Sequence, residues 1–208
     1  MATKSPTRDA ELTRGSILDA AEQEFARVGL RGARTESIAA RTGVTKAMIH
    51  YYFENKENLY RAVLDRLIQR RSQDLEALHL EALAPREALV ALVRSYLDHV
   101  LQNPNLSNLM LLEALQNEGK YYRESSVANL YGSLIETLQR GMESGDFIKA
   151  DPIHVAINIV GMAIFYVSAR DNLQSLFSEG VDMMSSAQTE QHVATCIAMV
   201  ENAVFIKA

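Results

Sequence analysis

The stretch TGVTKAMIHYYFENKENLY, residues 42–60, sets several hydrogen-bonding and aromatic side chains around one very short helical pattern. Lys46 can donate to guanine O6 or N7, and Ala47 can pack on a thymine methyl. His50 can donate or accept, according to its tautomer. Around them Thr35, Tyr51 and Tyr52 offer hydroxyls, and Lys56 a cation, all suited to phosphate oxygens. Lys56 falls in the first turn of a helix, where unpaired N–H groups and the positive dipole end also favour an anion. The chemistry this constellation can do is nucleic-acid binding, with a few groups for base edges and a ring of groups for the backbone.

Other chemistries are poorly served. The chain has no G-x-G-x-x-G and no G-K-[ST] phosphate loop. Cys196 lies mid-helix among apolar residues, the setting of an inert buried thiol. Glu76 and His79 have the i, i+3 spacing of di-iron bundles, but such a centre needs two copies and two further carboxylates. The second copy, Asp151 and His154, begins at a proline-marked helix start. An enzyme is not expected, nor a metal or cofactor.

The elements that must position these groups are helical. Ile17, Leu18, Ala21, Phe25 and Val28 follow three- and four-residue steps, and Gly29 is placed to close that helix. A second helix is expected from Thr35, as N-cap, towards Thr42; Gly43-Val44 turns, and Thr45 caps a third helix ending near Phe53. Asn55 caps a fourth, running to about Leu80. Helix, glycine turn, short helix is the helix-turn-helix arrangement, whose second helix enters the major groove. Ile38, Ala39, Val44, Ile49 and Phe53 can pack on Phe25, which leaves Lys46, Ala47 and His50 facing outward.

Further along, Pro85, Pro104 and Pro152 suit helix first turns, and Gly119 and Gly145 suit helix ends. Residues 178–189 are expected as a loop. No segment alternates convincingly enough for a strand, so the fold expected is all-α, with about nine helices. Charge is divided unevenly along the chain. Residues 1–71 carry 13 Lys/Arg against 9 Asp/Glu, net +4, and residues 72–208 carry 8 against 17, net −9. Only the first part is matched to a polyanion.

Residues 13–60 resemble the N-terminal domain of the tetracycline-repressor (TetR) family of bacterial regulators, and the Thr35-to-Lys56 frame fits without gaps. The resemblance implies base-facing positions at Lys46, Ala47, Met48 and His50, and phosphate contacts at Thr35, Tyr51, Tyr52 and Lys56. Glu36 stands where some members carry a basic residue, and His50 where tyrosine is common, so no operator sequence carries over. The family also implies a DNA-binding domain over residues 1–57 and an effector-binding, dimerising bundle over 58–208. Its partners would be a palindromic double-stranded operator, a second copy of the chain and an unidentified small-molecule effector. A ligand-released repressor is the function so implied; a protein-binding helical module is the alternative, and predicts no salt-dependent affinity for duplex.

The bundle's own sequence suggests two helices for the dimer, at about 152–176 and 188–206. Val160, Gly161 and Ile164 on the first, and Val193, Ile197, Val200 and Val204 on the second, are the interface residues expected. An effector cavity is expected from Arg94, His99, Glu113, Asn117, Tyr121, Tyr166 and Arg170. The single cysteine excludes an internal disulfide. The polar first residues and the short longest apolar run, Ile159 to Val167, lead to an expectation of a soluble intracellular protein with no membrane partner; the resemblance implies a bacterial cytoplasm and association with the nucleoid.

Overall fold

A computed structural model describes residues 6–124, 128–177 and 180–207. Chain order gives α1 (Pro6–Gly32), α2 (Thr35–Thr42), α3 (Lys46–Phe53), α4 (Lys56–Glu76), a 3-10 turn (Leu80–Ala82), α5 (Pro85–Gln102) and α6 (Pro104–Asn117). Then follow α7 (Lys120–Glu124), α8 (Ala128–Ser144), α9 (Pro152–Ser168), α10 (Arg170–Phe177) and α11 (Ser186–Val204). The all-α expectation holds. The count of nine falls short of the eleven α-helices among the described residues, because α7 is too short to show periodicity and α10 is split from α9.

By packing, the described residues form two compact units. One takes in 6–68 with 108–124, the other 69–107 with 128–177 and 180–207.

In the first unit Ile17, Ala21 and Phe25 of α1 are fully buried with Ile38 of α2, and Ile49 and Phe53 of α3 close over them. Gly29 breaks the helical path of α1 at φ 71°, ψ 177°, a region open in practice only to glycine. Arg66 of α4 reaches back to α1, pairing with Asp19 at 2.6 Å and Glu22 at 2.7 Å.

In the second unit α5 is the central helix, with Ala88, Leu89, Leu92, Val93 and Val100 at the core. Helices α8, α9 and α11 pack around it. Phe147 and Phe205 stack at 5.3 Å and form an isolated β-bridge.

Local chemistry explains most boundaries. Thr45 Oγ1 accepts from the Met48 N–H at 3.2 Å, Asn55 Oδ1 from Asn58 at 2.8 Å, and Asp151 Oδ1 from Ile153 at 2.8 Å, all N-caps. Four sequence expectations are corrected. Arg34, not Thr35, is the N-cap of α2, without a side-chain bond, and Thr35 is the first helical residue. α4 stops at Glu76. The helix expected at 152–176 is two, α9 and α10, bent by 68°. Residues 186–189 already belong to α11, while 178 and 179 of the expected loop lie outside the described residues. Because α4 ends at Glu76, His79 lies off the helix at φ 47°, and the i, i+3 geometry of that pair is lost.

Candidate nucleic-acid interface

Gly43 makes the turn between α2 and α3 at φ 72°, and its N–H closes on the Ala39 carbonyl at 3.0 Å. Glycine takes this left-handed conformation without a Cβ penalty. With Ile49 and Phe53 turned inward, α3 must show its other faces. Lys46, Ala47, Met48 and His50 are all exposed, and Tyr51 is 83% exposed. Tyr52 is half-buried, edge-on to Tyr51 at 5.3 Å and tilted against Phe53.

A cleft of about 380 Å³ lies between α2 and α3, and it brings together Thr35, Lys46, His50 and Lys56. Arg34, Glu36 and Asn55 share it; sequence reading assigned no contact to any of the three. Lys56 reaches the rim by donating from Nζ to the Ala33 carbonyl at 3.0 Å. Lys46 Nζ donates to Glu36 Oε1 at 2.5 Å. The pairing spans a turn and two helices, and no local spacing announces it. The Lys46 hydrogen bond is the first cause holding the Glu36 carboxyl below the usual range, with the backbone and the lysine charge adding to it.

The seven expected effector residues divide between the two units. Glu113, Asn117 and Tyr121 belong to the first unit, where the buried Glu113 carboxylate accepts from Asn117 Nδ2 at 2.6 Å and the Tyr121 N–H at 2.8 Å. Arg94 and His99 line a cavity of about 470 Å³ in the second unit, with Asp74, Ser95 and Asp98. His99 is buried; its Nδ1 bonds Asp74 Oδ2 at 2.8 Å while its Nε2 has no partner. Arg71, missed in the sequence, is buried beside Ser95. Its Nη1 donates to Ser95 Oγ at 2.7 Å, and its Nε is unpartnered. Tyr166 is committed to the Met183 carbonyl at 2.5 Å and Arg170 to the Val167 carbonyl at 3.1 Å.

Of the expected dimer residues, Val160, Ile164, Val193, Ile197, Val200 and Val204 are buried inside one chain, and Gly161 is exposed. The large apolar side chains that α9 and α11 leave outside are Ile153, Ile157, Phe165 and Met199. Cys196 is buried, and burial pushes its thiol up.

Taken together, the fold and this face define a helix-turn-helix regulator. Comparison with known proteins makes the class specific. Residues 17–63 match the family described as bacterial regulatory proteins, tetR family, and residues 85–200 match the tetracyclin repressor-like C-terminal domain. The HTH-type transcriptional repressor NicS of Pseudomonas putida is 30% identical over 82% of this chain and 83% of its own length. The HTH-type transcriptional regulator RutR of Escherichia coli K12 is 28% identical, covering 92% of this chain and 87% of its own. Among solved structures, the transcriptional regulator SCO4942 of Streptomyces coelicolor has a TM-score of 0.72 at 24% identity, covering 91% of this chain and 97% of that one. A regulator from Saccharomonospora viridis, solved in complex with choline, has a TM-score of 0.69 at 21% identity, covering 95% and 100%. The chain belongs to the tetR family of bacterial regulatory proteins; it is a DNA-binding transcriptional regulator, not an enzyme.

Proposed function

We propose that this chain is a ligand-released repressor that binds a palindromic operator as a homodimer. The observation that carries it is the exposed face of α3, where Lys46, Ala47, Met48 and His50 stand clear of the core at the end that recognition helices present to base edges. Thr35, Tyr51, Tyr52 and Lys56 flank that face and take phosphates. The functional division is then residues 1–57 for DNA and 58–208 for effector and dimer. Each subunit reads one half-site, and two-fold symmetry sets the half-sites about 34–36 Å apart, or a multiple of that.

The effector reading rests on the polar cavity lined by Arg94, His99, Asp74, Ser95 and Asp98, a concave site with several hydrogen-bonding groups. The choline complex of a structural relative supports a small molecule as the kind of effector, not its identity. A coupling of about 1–3 kcal/mol between effector and operator changes affinity roughly 5–150-fold. No further cofactor enters the proposal. No single helix among the described residues is long and apolar enough to cross a membrane, in keeping with a cytoplasmic protein at the nucleoid.

The test is selection of bound fragments from a random duplex pool at two salt concentrations. A recovered palindrome with affinity falling as salt rises supports the reading, because counterion release scales with the phosphates neutralised. Salt-independent binding, or none with cell extract added, favours a protein-binding module instead.

A further inference from the structure

Lys46 opens α3, and a helix N-terminus is the positive end of the macrodipole, an unfavourable place for an ammonium. Its partner Glu36 lies in the first turn of α2. Both side chains stay open to water, 65% for the lysine and 62% for the glutamate, so their ion pair adds little stability. A carboxylate on a face that meets phosphates also weakens general attraction to DNA. In the first turn of α2 a carboxylate does suit the positive helix end; what that leaves unexplained is a lysine brought to it from the positive end of α3.

The pair has the chemistry of one base-pair edge. In the major groove guanine offers acceptors at N7 and O6, and its cytosine offers the N4 amino donor. O6 and N4 are neighbours because pairing bonds them to each other. On the protein, donor and acceptor are likewise bonded to each other. An ammonium has three N–H groups, and Lys46 gives one to Glu36 Oε1, leaving two for N7 and O6. Glu36 Oε2 has a 3.4 Å contact from Thr35 Oγ1, longer than an ordinary O–H···O bond, and the carboxylate, 62% exposed, has lone pairs left for an N4–H. An A·T pair alternates acceptor, donor, acceptor and methyl, so two adjacent acceptors are not there to be found.

Resting on the reading of this face as DNA-contacting, we infer that Glu36 and Lys46 read one G·C base pair per half-site as a joined unit, with Lys46 on guanine and Glu36 on cytosine. The contact formed in the free protein holds both side chains ready, which lowers the entropy lost on binding. Glu36 is thereby a specificity-determining residue, and the acid is what selects the pair.

The full chain goes through the duplex selection beside its Glu36→Gln, Glu36→Ala and Lys46→Ala forms and a double variant that combines Glu36→Ala with Lys46→Ala. Each is then titrated against the recovered operator and against operators changed at single base pairs. The wild type should prefer G·C at one half-site position by roughly 5–100-fold. Glu36→Ala should lose that preference while binding other sequences at least as tightly. Combining both substitutions should cost no more at that position than either alone. Overturning results are a uniform rise in affinity with the motif unchanged, additive losses, or A·T as the preferred pair. Thermal melting checks folding, which two exposed side chains should leave intact. A wild type that yields no motif sinks the DNA reading and the pair with it; a motif indifferent to Glu36 sinks the pair alone.

Discussion

The Tyr60 hydroxyl donates to Oε2 of Glu113 at 2.9 Å, and the carboxylate that receives it is fully buried. Two more donors complete its shell, Asn117 Nδ2 at 2.6 Å and the Tyr121 N–H at 2.8 Å. No described lysine, arginine or histidine forms an ion pair with Glu113. Hydrogen bonds alone must offset the cost of removing that carboxylate from water. The result ties α4, α6 and α7 together inside the first unit. Burial, reinforced by Glu113, raises the Tyr60 hydroxyl above the ordinary tyrosine range, so it remains the donor.

Glu113→Ala should therefore destabilise by about 3 kcal/mol, since it leaves three donors unpaired at about 1–3 kcal/mol each before relaxation. Glu113→Gln keeps the shape but turns one acceptor into a donor facing a donor, and should cost about 1–2 kcal/mol. Urea unfolding should rank wild type above Gln and Gln above Ala. An alanine variant with the wild-type midpoint would show that the shell carries no stability.

At the DNA face, Lys56 and His50 should behave differently. Lys56 sits at the cleft rim as a point charge. Lys56→Ala should weaken every duplex about equally and reduce the salt slope by roughly one unit. His50 stands one helical turn beyond Lys46 on the same face, so His50→Ala should alter preference at a particular base pair, by about 1–3 kcal/mol. Titrations against a panel of operators separate the two. Unchanged sequence preference after His50→Ala would remove it from the recognition face.

What the sequence made legible was local. Thr45, Asn55 and Asp151 were readable as caps because each bonds a backbone N–H two or three residues away. Gly29 and Gly43 were readable because few other residues tolerate their φ. Pairings across distance were not. Glu36 meets Lys46 ten residues on, and Tyr60 meets Glu113 fifty-three residues on, and neither spacing has a pattern. The bend after Ser168 also had no signal, since neither proline nor glycine marks it. The Arg170 guanidinium instead donates to the Val167 carbonyl at the helix end.

Stability should fall as the pH drops from about 7.5 to 5. Burial lowers His99 below histidine's ordinary range, against the opposing hydrogen bond to Asp74, and burial lowers His192, stacked on Tyr166 at 3.8 Å. The unfolded chain then takes up protons first. Stability present above the ordinary histidine pKa of about 6.5 is lost as the pH falls through it towards the lowered folded values. Asp98, raised by burial and lining the same cavity as His99, acts in the opposite direction. Urea unfolding across this range should give a positive slope with pH for the wild type and a shallower one for His99→Gln. A slope unaffected by His99→Gln would mean that His99 is not kept neutral by the fold.

The apolar α9 could have presented either side to a partner, because a helix apolar all round does not encode which side faces its own core. Its packing resolves this for a single chain. Val160 and Ile164 are spent inside, whereas Ile157 and Phe165, two turns apart, are 51% and 67% exposed. If this outer face is the dimer contact, Ile157→Asp combined with Phe165→Asp should leave the helical spectrum and melting intact, because neither side chain supports the core. Sedimentation should then report a monomer, and operator affinity should drop, since one half-site is all a monomer can hold. Val193→Asp should fail differently. That side chain is fully buried, and a lone carboxylate in the core unfolds the unit rather than separating subunits. A double aspartate variant that still sediments as a dimer would place the contact elsewhere.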